Sequence, residues 1–95
     1  MYAQLLIFKT APGKRSEAEK LADTCAPLKA MKGFIRATYF GDYDNNEYGC
    51  LYIWQTKEDM EAALKSIGPG MQEATNALAI EPPLRRFYEV FEPKP

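Results

Sequence analysis

The sequence contains no histidine. That absence removes the commonest general base, the Ser-His and Cys-His nucleophile pairs, and the usual imidazole ligands of zinc and haem. Cysteine is scarce too: Cys25 and Cys50 are the only two, too far apart for a C-x-x-C redox or zinc motif. Neither sign of charge is in excess, with 12 Lys and Arg against 13 Asp and Glu. The basic residues are scattered, so there is no electrostatic footprint for nucleic acid or an anionic membrane. No run approaches the roughly 20 apolar residues of a membrane span. The opening Met1-Tyr2-Ala3-Gln4-Leu5-Leu6-Ile7-Phe8 lacks the basic segment and small-residue cleavage site of a secretory signal. The expectation is a soluble, cytoplasmic protein with two reduced thiols, a disulfide between them being the alternative.

What is present is 95 residues with 46% hydrophobic side chains, enough for one folded domain over 1–95. A lone chain of this size buries only about 60–65% of the surface it exposes when unfolded, which makes an oligomer interface a source of extra stability. Tyr2 to Thr10 is β-rich and stopped by Pro12-Gly13. Ser16 and Glu19 make a capping box, and Ala18, Leu21, Ala22, Cys25 and Leu28 recur on one helical stripe until Pro27 kinks or ends it. Phe34 to Phe40 is a second strand, Asp42 to Asn46 a turn-rich loop, and Tyr48 to Gln55 a third strand, together an antiparallel hairpin. Thr56 and Asp59 cap a second helix carrying Met60, Ala63, Leu64 and Ile67. Gly68-Pro69-Gly70 is expected to interrupt that helix before a short continuation through Met71, Ala74 and Leu78. After Pro82-Pro83, Leu84 to Phe91 reads as a fourth strand, followed by the tail Glu92 to Pro95.

The resulting order, β-α-β-β-α-β, is that of the α+β, ferredoxin-like split βαβ unit, a four-stranded antiparallel sheet with two helices on one face. A sheet with one wet face would alternate cleanly between apolar and polar residues. Here Leu6 and Phe8 alternate with Leu5 and Ile7, and Tyr52 and Trp54 with Leu51 and Ile53. The second face therefore needs a cover, either another copy of the chain or a ligand or nucleic acid laid on the sheet.

Three stretches carry a family resemblance: Thr10-Ala11-Pro12-Gly13-Lys14 after the first strand, Lys32-Gly33-Phe34 opening the second, and Tyr52-Ile53-Trp54-Gln55-Thr56-Lys57-Glu58-Asp59 leading into the second helix. In this order and spacing they resemble the antibiotic biosynthesis monooxygenase family of the dimeric α+β barrel superfamily. The resemblance implies a homodimer packed sheet to sheet, with a pocket in each chain between its sheet and its helices. It implies a cofactor-independent monooxygenase-like activity on a small phenolic, quinone or polyketide-like aromatic substrate. The family's haem-degrading branch conflicts with the missing histidine, so neither haem nor metal is expected. Trp54 is the pocket residue the resemblance carries onto this chain.

Strand parity puts Tyr48, Cys50, Tyr52 and Trp54 on one face, with Gln4, Leu6 and Phe8 as companions. Aromatic walls with a few polar tips are what a flat phenol or quinone requires. The candidate lining is Trp54, Tyr52, Cys50, Leu6 and Phe8 from the strands, with Met60 and Leu64 from the second helix. Arg36, Arg85 or Arg86 can hold an anionic oxygen, and Tyr39 or Tyr52 can donate to it, as oxyanion stabilisation requires. Against this stand plainer roles, in which the aromatics are core, Cys50 is a small buried hydrophobe and each Arg pairs with a surface carboxylate. RNA-recognition domains share the element order, but their third-strand signature fails here at Asn46, Glu47, Cys50 and Ile53. The alternative to an enzyme is a non-catalytic small-molecule-binding or structural homodimer of the same fold.

Overall fold

A computed structural model of the chain describes residues 1–93. Its elements are β1 (Tyr2–Lys9), α1 (Arg15–Thr24), a 3-10 segment (Ala26–Ala30), β2 (Phe34–Asp42), a 3-10 turn (Tyr43–Asn45), β3 (Glu47–Trp54), α2 (Lys57–Leu78) and β4 (Leu84–Glu89). The strands form one antiparallel sheet in the order β2-β3-β1-β4. This is the ferredoxin-like topology expected, with both helices on one face. Among the described residues no helix is long and apolar enough to cross a membrane. Lys94 and Pro95, the end of the expected tail, lie outside the described residues.

Register fixes which side chains face the helices. Leu6 stands opposite Cys50, Phe8 opposite Tyr48, Gln4 opposite Tyr52 and Tyr2 opposite Trp54. Leu6, Phe8, Tyr48, Cys50, Tyr52 and Trp54 join Ala18, Leu28, Met60 and Ala63 in a single buried core. The opposite parity, Leu5, Ile7, Leu51 and Ile53, forms the outer face, continued by Phe40 of β2 opposite Gly49 and by Leu84 and Tyr88 of β4. Phe40 is 44% exposed and Tyr88 49%, so that apolar face lies open on the single chain. Gly49 is required there because a Cβ would come 2.5 Å from the Phe40 ring.

Three local expectations are corrected, and the alternative left open at Pro27 is decided. The capping box does not form: α1 starts at Arg15, with Lys14 as N-cap and no side-chain cap, and Ser16 already lies inside the helix. Glu19 instead accepts from Arg15 Nε at 2.9 Å, a contact one turn along the helix that competes for the same carboxylate. Pro27 ends α1, and the chain continues in the tighter 3-10 segment. Gly68-Pro69-Gly70 does not interrupt α2, which runs unbroken for 22 residues with Pro69 inside it. Pro69 and Gly70 lie on the exposed side, where water can serve the Lys65 carbonyl that Pro69 leaves without a donor. Finally, β4 stops at Glu89, and Phe91 is 81% exposed.

Candidate functional site

Between α1, the C-terminal half of α2 and the sheet lies a cavity of about 250 Å3. Its existence follows from side-chain size. Ala18 and Ala22 are too short to reach the sheet, and the residues beneath include Leu6, Cys50 and Gly49, so helix and sheet fail to close on each other. The aromatic walls are Phe8, Tyr48 and Tyr52 from β1 and β3, with Tyr39 and Tyr43 at the exposed rim. Met71 and Thr75 close the α2 side. The rings meet edge-on or tilted: Tyr39 and Tyr52 at 6.0 Å and 82°, Phe8 and Tyr48 at 6.0 Å and 33°. Such walls accept a flat ring against their faces.

Polar capacity inside the cavity is small and mostly used. The Thr75 hydroxyl donates to the Met71 carbonyl at 2.8 Å, and the Thr24 hydroxyl to that of Leu21 at 2.7 Å. The Cys25 thiol also reaches the Leu21 carbonyl, at 3.5 Å. Glu19, the one charged residue in the lining, is held at the rim by Arg15, whose guanidinium lies 3.7 Å above the Tyr43 ring. That stack ties the start of α1 to the β2–β3 turn. The Tyr52 hydroxyl is different, being buried without a hydrogen-bond partner.

Burial sets the protonation states. The Cys50 thiol is pushed up to about 11, and the Tyr52 and Tyr39 hydroxyls are also raised, in each case first by loss of water around the charged form. All three are neutral at pH 7. Cys50 therefore behaves as a small apolar side chain with no thiolate character, and both cysteines are free thiols. Among the described residues no group of three or more His, Cys, Asp or Glu is placed to hold a metal ion.

Of the seven residues singled out from the sequence, Leu6, Phe8, Cys50 and Tyr52 line the cavity, and Trp54, Met60 and Leu64 do not. Trp54 is fully buried one step further along β3, edge-on to Phe34 at 5.6 Å, in the packed core under the first half of α2. Met60 is buried in that same core, and Leu64 packs against it. Arg36 and Arg86 stand opposite Ile53 and Leu5 on the outer face. Arg85 stands opposite Leu6 but outside the lining, and none of the three arginines makes an ion pair among the described residues. Sequence reasoning missed Met71, Thr75 and the α1 residues. The signal for Met71 and Thr75 was continuity of the helical period across Pro69.

The family model for antibiotic biosynthesis monooxygenases matches residues 1–77. No curated protein matches the chain in sequence. Among solved structures, SnoaB, a cofactor-independent oxygenase from Streptomyces nogalater, superposes with a TM-score of 0.81 at 22% identity, covering 99% of this chain and 96% of its own. A monooxygenase from the gene ActVA-Orf6 of Streptomyces coelicolor, in complex with the ligand nanaomycin D, superposes with a TM-score of 0.72 at 16% identity, covering 98% and 92%.

Proposed function

The chain belongs to the antibiotic biosynthesis monooxygenase family, and from that premise we propose a cofactor-independent monooxygenase-like protein that takes a small phenolic, quinone or polyketide-like aromatic substrate into the cavity between sheet and helices. The observation that carries the reading is the cavity itself: aromatic walls, the neutral Tyr52 hydroxyl and Cys50 thiol inside, and its one charge confined to the rim. Leu6, Phe8, Cys50 and Tyr52 contact the ring, and Trp54, Met60 and Leu64 stiffen the adjoining core. Without a cofactor the substrate supplies the electrons. Oxidation of a ring CH2 to C=O by dioxygen releases four electrons, places one oxygen atom on carbon and sends the other to water with the two displaced hydrogens. The protein's part is to exclude water and orient the ring.

The outer face supports a homodimer. Phe40, Leu84 and Tyr88, exposed on the single chain, flank the half-buried Leu5, Ile7 and Leu51 in an apolar surface of the kind that monomers rarely leave bare. One observation favours a second reading, a non-catalytic binding protein of the same fold: burial holds the Cys50 thiol and the Tyr39 and Tyr52 hydroxyls protonated, and Glu19, the one carboxylate of the lining, is engaged by Arg15 at the rim. Dioxygen uptake with a panel of naphthols, hydroquinones and anthrones separates the two. Catalysed uptake with any of them supports the oxygenase, and saturable binding without uptake supports the binding protein.

A further inference from the structure

Among the described residues four buried polar side-chain atoms lack a hydrogen-bond partner: Gln4 Oε1, Tyr52 Oη, Trp54 Nε1 and Arg85 Nη2. Of the four residues, only Tyr52 lines the cavity. The residue is 1% exposed. The groups around its hydroxyl are the Cys25 and Cys50 thiols and the Tyr39 hydroxyl, all on the cavity wall, and none of them meets it in hydrogen-bond geometry. Thiols are weak acceptors. The other hydroxyls at the wall whose bonds are settled, those of Thr24 and Thr75, already serve helix carbonyls. A buried O–H left without a partner costs stability, and an acceptor on a ligand in the cavity would supply one.

We propose that the Tyr52 hydroxyl is the donor that fixes the ring oxygen of an aromatic ligand in the cavity, and so selects phenols, naphthols and quinones over hydrocarbons of the same shape. The assignment rests on the reading of this cavity as the substrate site and adds the group that reads the substrate's oxygen. Tyr52 suits that task because it stays neutral and rigid: its ring meets Tyr39 edge-on, and burial raises its hydroxyl above the ordinary tyrosine range.

The probes are 2-naphthol and naphthalene, titrated calorimetrically at pH 7 into the wild type, Tyr52→Phe and Tyr39→Phe. The wild type should prefer 2-naphthol by about 5–10-fold, the size of one net hydrogen bond. Tyr52→Phe should lose that preference, hold naphthalene within about twofold, and melt no lower than the wild type, because it removes an unpaired buried hydroxyl. Tyr39→Phe, altered at the rim, should keep the preference. Retention of the preference in Tyr52→Phe, its loss in Tyr39→Phe, or a lower melting temperature with equal loss of both ligands would each overturn the assignment. A Tyr52-dependent preference with no dioxygen uptake retires the oxygenase reading and leaves Tyr52 in place. A wild type that binds neither probe retires both.

Discussion

Filling the cavity from its α1 wall should stabilise the protein and abolish ligand binding at the same time. Ala22 is half-buried and lines the cavity. Ala22→Leu adds three carbons where the structure holds about 250 Å3 of unfilled space. At ~0.8 kcal/mol per buried CH2 the gain is at most about 2.4 kcal/mol. Fitting a branched side chain beside Leu6 and Cys50 gives back about 1 kcal/mol in strain, and Leu is only slightly worse than Ala within a helix. The net is a gain of roughly 1–2 kcal/mol, or about 5–10 °C in melting temperature for a domain of this size. Melting curves are compared at one protomer concentration, since a dimer's stability depends on it. Calorimetric titration with 2-naphthol on the same samples should show at least a tenfold loss of affinity, because the leucine occupies the ring's place. A less stable variant that still binds 2-naphthol like the wild type would refute the reasoning, since the space would then be neither unfilled nor the binding site.

Three further predictions follow from the core, the thiol and the outer face. Trp54→Phe should cost about 1–2 kcal/mol in urea unfolding through lost packing against Phe34 and Met60, and leave 2-naphthol affinity per folded molecule within twofold, because Trp54 lies outside the lining. The Cys50 thiol is raised from 9.0 to about 11 in the folded protein, so the unfolded chain releases that proton first as pH rises. Its contribution, intact below pH 9, should fall by about 2 kcal/mol toward pH 11, and denaturant titrations of Cys50→Ala over this range should show a shallower decline than the wild type. Leu51→Lys places a charge in the middle of the apolar outer face, and sedimentation equilibrium should show dimers in the wild type and dissociated, less stable chains in the variant.

The fold was legible wherever local chemistry and tertiary context agreed. Pro12-Gly13, Lys32-Gly33 and Pro82-Pro83 separate the elements, and strand parity correctly grouped Tyr48, Cys50 and Tyr52 with Leu6 and Phe8. Legibility failed where a local rule met a stronger neighbour. Gly68-Pro69-Gly70 has the chemistry of a helix break, but Met71, Thr75 and Leu78 bury the same face as Met60 and Ala63, and that packing carries α2 through the proline. The cavity was harder to see. An alanine at a core-facing position reads as close packing. Whether Ala18 and Ala22 close against the sheet or stand off from it depends on how high α1 rides, which no single segment encodes. For the same reason Trp54, the most conspicuous aromatic, reads as lining, whereas it packs in the core one step along β3 from the cavity.

The most direct test of the account is dioxygen consumption by the wild type with an anthrone in 18O2, run beside Ala22→Leu, which closes the cavity without touching any polar group. Saturable uptake is expected from the wild type, with one 18O atom in the quinone product for each dioxygen consumed, and a rate near the uncatalysed background from Ala22→Leu. Equal rates in the two proteins, or a wild-type rate no faster than buffer alone, would contradict it.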